Sequence, residues 1–343
     1  MITDIKLDSL ISSSQAEALI TLKCSADERD YWFEQLTPNQ MDVNSLAVII
    51  EAIQHHCTAT PTLNGSVLDI SGTGMSPLAS YNTYITSAFI LMAGGVKVTK
   101  FCAPPSMTPQ TQALFNTLGV DNHIPWEKWS AIFHETNLAF HFFDQFYSAS
   151  LLPFGDALSS YREKTGKTTI FHYLFPLISP ISASYRILGV ANSLMHPLLT
   201  EYLAKRTRCR KGLIVCGFMD ASKHPLDELS PYGTTSLFEV RGIRAKRNIL
   251  QTSYTSPLNI KAMPSLSSDE ALTMFNQLIR GQDTDSIYYW LVCLATGAGF
   301  YAANKTKTIS EGVDLAQELL KTNRVEKALE CFKASVASHK KAD

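Results

Sequence analysis

Gly72, Thr73 and Gly74 close a short apolar run, Val67-Leu68-Asp69-Ile70, and precede a helix-like stretch over residues 81–95. A strand that feeds a glycine turn and then a helix N-terminus is a general anion site. Glycine lets backbone N–H groups converge, and the helix dipole adds about half a positive charge at its start. The chemistry such a turn serves is phosphate binding. Met75 and Ser76 come next, where a full phosphate turn continues with another glycine and a carboxylate, so part of the usual equipment is replaced. A plainer reading of Gly74 stays open beside this one, a tight strand-to-helix junction with no ligand.

Other reactive side chains are less informative. His172, His224 and Cys216 have no metal-ligand or triad partner at diagnostic spacing, and each reads as structural. The seven cysteines are scattered and form no C-x-x-C pair, which suits reduced thiols and argues against a disulfide framework or a zinc site. Two basic runs, residues 205–211 (K-R-T-R-C-R-K) and 241–247 (R-G-I-R-A-K-R), read either as solvated faces or as contacts to a phosphate backbone. With 30 basic against 31 acidic residues and a net charge of −1, no global field favours nucleic acid or a membrane.

The elements that must hold these residues are legible in outline. At 343 residues, 45% hydrophobic and 18% charged, the chain is an ordinary globular sequence long enough for two domains. Residues 1–63 read as helical, with polar caps at Ser12-Ser13-Ser14 and at Asp42 ahead of apolar stripes. From residue 67 onward, β-rich runs at 67–70, 96–99, 138–142, 184–190, 212–215 and 234–240 alternate with helical stretches. That alternation predicts an α/β sheet covered on both faces. Residues 161–180 read as a helix end, a turn and a short helix stopped by Pro176 and Pro180. An amphipathic helix pair spans 311–337, broken near Lys321-Thr322-Asn323. The uncharged stretch 287–303 falls short of the roughly 20 residues needed to span a bilayer, and with Thr296, Gly297 and Gly299 it reads as a buried core helix. The N-terminus lacks the basic-then-apolar order of a signal peptide, so a cytoplasmic protein is expected.

These pieces, in this order, resemble the anthranilate phosphoribosyltransferase family, whose fold is shared with the pyrimidine nucleoside phosphorylases. The family's G-T-G-G-D is met by Gly72-Thr73-Gly74-Met75-Ser76, and its T-F-N-I-S-T-A-S-A by residues 80–88 (S-Y-N-T-Y-I-T-S-A). Its K-H-G-N-R turn is met by residues 100–104 (K-F-C-A-P), and its arginine before L-G-x-R-T by Arg162 ahead of 165–168 (T-G-K-T). Its F-N-x-L-G-P-L-x-N-P corresponds to residues 171–180 (F-H-Y-L-F-P-L-I-S-P), and its L-D-E-x-S-x-x-G-P-T to residues 226–235 (L-D-E-L-S-P-Y-G-T-T). The likeness covers nearly everything from residue 66 onward.

The resemblance implies a small helical N-terminal domain over residues 1–64, completed by helices within about 155–182. A larger α/β domain with a mostly parallel sheet would take 65–154 and 183–343. It implies a step of tryptophan biosynthesis: transfer of phosphoribose from phosphoribosyl pyrophosphate to an aromatic amine, with magnesium, in a homodimer paired through the helical domain. Site residues carried over are Gly72, Thr73, Gly74, Asn82 and Lys100 for phosphoribosyl pyrophosphate, Arg162 for the acceptor, and Asp227 and Glu228 for magnesium. Bland alternatives are a solvated acidic pair for Asp227-Glu228 and a surface or interdomain ion pair for Arg162. Several departures weaken the pattern. Tyr84 replaces a magnesium-linked serine, Ser76 replaces an aspartate, and Phe101, Cys102, Ala103 and Pro104 replace His-Gly-Asn-Arg. Anthranilate as acceptor is therefore doubtful, and the alternative is an inactive relative that binds nucleic acid or a nucleotide-like ligand.

Overall fold

The computed structural model describes residues 9–76, 81, 83–103, 109–120, 124–219, 225–254 and 266–340. The chain opens with helices α1 (Ser13–Ile20), α2 (Ala26–Gln35) and α3 (Val43–His55). Ser12 and Gln15 form a capping box at α1, Ser25 and Glu28 one at α2, and Asp42 accepts from the N–H groups of Asn44 and Ser45 at α3. Each such cap satisfies helix-end donors and is worth about 1 kcal/mol.

Strands and helices then alternate: β1 (Leu68–Gly72), α4 (Thr83–Ala93), β2 (Val98–Cys102), α5 (Pro109–Leu118), α6 (Trp126–Thr136), β3 (Leu138–Phe142), α7 (Phe143–Phe146) and α8 (Leu152–Thr165). After them come β4 (Tyr185–Gly189), α9 (Met195–Arg206), β5 (Lys211–Phe218), β6 (Pro225–Leu226), β7 (Tyr232–Arg241) and β8 (Arg244–Ser253). Helices α10 (Ser268–Ile279), α11 (Ile287–Ala302), α12 (Ile309–Lys321) and α13 (Arg324–Lys340) complete the chain.

The strands form one sheet in the order β3-β2-β1-β4-β5-β7-β8, with β6 beside β5. The five from β3 to β5 are parallel, whereas β6, β7 and β8 join antiparallel. The expected α/β class with a mostly parallel sheet is what the chain adopts. Parallel strands buried on both faces are largely apolar, with Asp69, Thr99, His141 and Arg186 among the buried exceptions here, and two hydrophobic clusters cover the two faces. One joins α4 and α10–α13 to Leu68, Ile70, Val98 and Leu213; the other joins α1–α3, residues 143–178 and α9 to Phe101, Leu188 and Ile214. Helix α11 is buried along nearly its whole length, as the uncharged stretch 287–303 implied. Among the described residues no helix is long and apolar enough to cross a membrane.

Two segments differ from expectation. Residues 170–177 form two 3-10 turns, Ile170–Tyr173 and Phe175–Leu177, in place of a short helix, because Pro176 offers no N–H to continue a helical ladder. The second basic run is mostly strand: a two-residue turn at Gly242 and Ile243 folds β8 back on β7, with Gly242 at φ +57°.

Candidate functional site

The strand order reverses at β1, with β2 and β3 on one side and β4 and β5 on the other. In an open α/β sheet the crevice outside the C-terminal ends of the strands at such a switch point is where ligands bind. Gly72 and Gly189, the last residues of β1 and β4, are register partners there. The chain leaves β1 through Thr73, whose N–H donates to the Gly189 carbonyl at 3.0 Å, and Gly74 takes a left-handed φ of +69°.

Asp227 and Glu228 lie in the link between β6 and β7, folded over these strand ends. They are 4% and 2% exposed, so the solvated-pair reading fails. Asp227 Oδ2 accepts the Gly74 N–H at 2.6 Å, and its backbone carbonyl accepts the Tyr84 hydroxyl at 2.7 Å. Glycines make room for this turn. A Cβ on Gly189 would stand 1.6 Å from the Asp227 carbonyl oxygen, and one on Gly217 would stand 2.4 Å from that of Glu228.

Electrostatics mark the pair as unusual. Burial pushes the Asp227 carboxyl above the ordinary range, while the Gly74 N–H and the Lys100 ammonium favour its charged form. Burial pushes Glu228 up to about 8, helped by the neighbouring Asp227 charge and opposed by the Thr83 hydroxyl. Asp227 Oδ1, Glu228 Oε2 and Thr73 Oγ1 are buried without a hydrogen-bond partner. Orphaned buried oxygens are costly and call for a missing partner. Two carboxylates, each with one free oxygen, fit a hard divalent cation such as magnesium, which takes oxygen ligands and is completed by phosphates and water. Among the described residues no group of three or more metal-ligating side chains gathers, so the protein's share of such a site would be these two.

The other sequence-derived candidates fall at different ranges. Lys100, half-buried on β2, acts electrostatically on Asp227. Arg162, in the last turn of α8, reaches the glycine turn by way of Met75, its Nη1 lying 3.5 Å from the thioether sulfur. The substituted residue of the turn and the acceptor-matching arginine therefore touch. Asn82 and His224 lie outside the described residues. His172 is held neutral by burial, its pKa lowered to about 4, and its Nδ1 accepts the Thr169 N–H at 3.1 Å.

Sequence reasoning missed the parts of Gly189, Gly217 and Thr83. The signal available was small: two β-rich runs that each reach a glycine near their C-terminal end. The two basic runs are brought together, but far from the acidic pair. Lys211 pairs with Arg241, and the Gly242 N–H donates to the Arg210 carbonyl. These contacts sit at the N-terminal end of β5, roughly 20 Å along the strand from Gly217.

Comparison with known proteins agrees with this fold. Residues 64–324 match the family model described as "Glycosyl transferase family, a/b domain". The chain is 28% identical over 298 residues to an anthranilate phosphoribosyltransferase of Methanobrevibacter smithii, covering 84% of this chain and 83% of that one. It superimposes on the crystal structure of the anthranilate phosphoribosyltransferase of Thermus thermophilus with a TM-score of 0.78, at 25% identity over 96% of this chain and 97% of the other. The same fold is seen in the Saccharomyces cerevisiae enzyme, solved in complex with phosphoribosyl pyrophosphate and magnesium, with a TM-score of 0.73, 21% identity and coverage of 96% and 94%. With the glycine turn, the switch-point crevice and the buried acidic pair all in place, the chain belongs to the glycosyl transferase family defined by this α/β domain, alongside the anthranilate phosphoribosyltransferases it resembles.

Proposed function

We propose that this protein is a magnesium-dependent phosphoribosyltransferase that moves phosphoribose from phosphoribosyl pyrophosphate to an aromatic acceptor other than anthranilate. The observation that carries the reading is the buried Asp227-Glu228 pair, each with one unpartnered oxygen, with Asp227 bound to the Gly74 N–H of the glycine turn at the switch point. Such a transfer builds positive charge on the ribose and negative charge on the departing pyrophosphate. Rate then depends on donors and cations fixed where that charge develops. Bound magnesium would supply neutralisation of the leaving group, held by Asp227 and Glu228.

The chain's own residues supply the rest. The Gly74 N–H anchors Asp227 at the turn, and the Lys100 charge acts on the same carboxylate. Arg162, seated against Met75, offers a planar fork of donors suited to a carboxylate on the acceptor. Phe101 is buried in a stacked arrangement with Phe175, ring centroids 4.5 Å apart, so the second strand ends in an apolar wall instead of a polar acceptor turn. This favours an acceptor different from anthranilate. A cytoplasmic homodimer paired through helices α1–α3 and the segment near 155–182 belongs to the same proposal. So does the division into a helical domain (1–64 with 155–182) and an α/β domain.

The test is release of pyrophosphate from phosphoribosyl pyrophosphate and magnesium over a panel of aromatic amines and aromatic carboxylates. Turnover with at least one acceptor is expected, with anthranilate slow or inert. Asp227→Asn and Glu228→Gln should each lower it by about 100-fold or more. No pyrophosphate release with any acceptor, together with no binding of phosphoribosyl pyrophosphate, would overturn the reading.

A second reading rests on the joined basic runs: a binding protein for nucleic acid or a nucleotide-like ligand. Arg206, Arg208, Arg210, Arg244 and Lys246 are exposed at one end of the sheet. Mobility-shift titration decides it, since phosphate-backbone binding falls steeply with salt.

A further inference from the structure

The crevice at the switch point is filled by the chain itself. A Cβ on Gly72 would stand 2.6 Å from Asp227 Oδ2 and 2.9 Å from Tyr84 Cε2, and one on Gly189 would stand 2.5 Å from the Tyr84 hydroxyl. The glycine ends of two adjacent strands thus make room for Tyr84 and Asp227, where a diphosphate would need close backbone approach. The Gly74 N–H, the donor such a turn offers to an anion, is already given to Asp227 Oδ2. Tyr84 pins that arrangement by donating to the Asp227 carbonyl. The phenol itself cannot drift, because α4 is buried at every position from Thr83 to Met92.

We propose that Tyr84 is the specificity-determining gate of this site. It holds the acidic turn in the crevice, Asp227 stands in for a phosphate on the Gly74 N–H, and a diphosphate enters only by displacing that contact. Asp227 is then shared between two tasks, capping the turn and holding a cation, and Tyr84 biases it toward the first. Ligands bearing a diphosphate bind weakly for this reason. The proposal rests on the reading of the turn as a diphosphate site made above.

A merely structural role for Tyr84 gives the opposite sign. Loss of a packed phenol then lowers stability and leaves affinity unchanged or weaker. Isothermal titration of the full chain with magnesium pyrophosphate separates the two, run on the wild type, Tyr84→Phe and Tyr84→Ser, with circular dichroism to establish folding. The gate predicts binding several-fold tighter in Tyr84→Phe, which loses only the hydroxyl, and at least about tenfold tighter in Tyr84→Ser. Tyr84→Ser decides wherever it folds; otherwise a several-fold gain in Tyr84→Phe supports the gate equally. Tight wild-type binding that the deciding variant leaves unchanged or weakens overturns the gate and keeps the diphosphate site. No heat from any folded protein overturns both.

Discussion

At the scale of single residues, the site depends on atoms that are not there. Gly189 has no Cβ because one would overlap the Asp227 carbonyl oxygen at 1.6 Å, backbone that cannot step aside. Gly189→Ala should therefore push the acidic turn off the strand ends and cost on the order of 3 kcal/mol, the upper range for overpacking. Chemical denaturation reads the stability, and magnesium titration should show weakened binding in the same variant. Gly74→Ala is the milder control, since open space surrounds it and only its positive φ resists substitution. The acidic pair and the glycine turn were legible in the sequence because each is a short string of residue types that chemistry uses together. Gly189 and Gly217 were not, because one glycine at a strand end does not announce what will pack over it. Tyr84 stood out only as a replacement; its hydroxyl's partner lies across a long stretch of chain.

At the scale of elements, Lys211 shows how β5 is tied to α11 at the end of the sheet away from the crevice. It is 3% exposed, its ammonium donates to the Tyr301 carbonyl and to Asn304 Oδ1, and it lies 3.4 Å from the Tyr301 ring centroid. Burial lowers its pKa to about 8, with the Arg241 charge acting the same way and Glu239 opposing. The folded chain thus holds this proton less tightly than the unfolded one. The penalty is in full force below pH about 8, and this one contribution to stability improves as the pH climbs from there toward the ordinary lysine value near 10.5. Buried thiols such as Cys102, Cys216 and Cys293 act the opposite way over the same window. The Lys211 share is therefore read as the difference between wild type and Lys211→Met, which should shift in favour of the wild type by an amount on the order of 2 kcal/mol. Elements of strong period were legible: α12 and α13 break at Thr322 and Asn323 as the pattern implied. Strand β8 was not, because seven of its ten residues are exposed and none is buried, and its basic residues mask the alternation. The 3-10 turns near Pro176 were equally hidden, since a short apolar run with prolines fits several local conformations.

At the scale of the whole molecule, one buried ion pair joins the sheet to the helical layer on its second face. Asp69 of β1 lies 3.9 Å from Arg186 of β4, and Arg186 donates onward to the carbonyls of Pro176 and Ile181. Arg186→Met would leave the Asp69 carboxyl buried without its guanidinium, held only by the Ser71 hydroxyl and the Lys100 charge, at a cost of about 3 kcal/mol, whereas adding Asp69→Asn should recover much of it. A double-mutant cycle in urea checks this, and limited proteolysis should find the 170–183 segment more readily cut in the single variant. The α/β class could be read from alternating elements, yet which helices cover which face could not, because a strand apolar on both sides carries no sign of direction. The crevice has one more consequence, for the order in which the protein is made. Gly74 and Asp227 are 153 positions apart in the chain, and Tyr84 and Asp227 are 143. A growing chain can hold the turn, the helix and three parallel strands long before the acidic residues exist to meet them. Contacts so distant in sequence form late, after the loop entropy between them has been overcome. Whatever binds at this crevice binds a chain already made as far as the acidic turn and folded back onto its first strand.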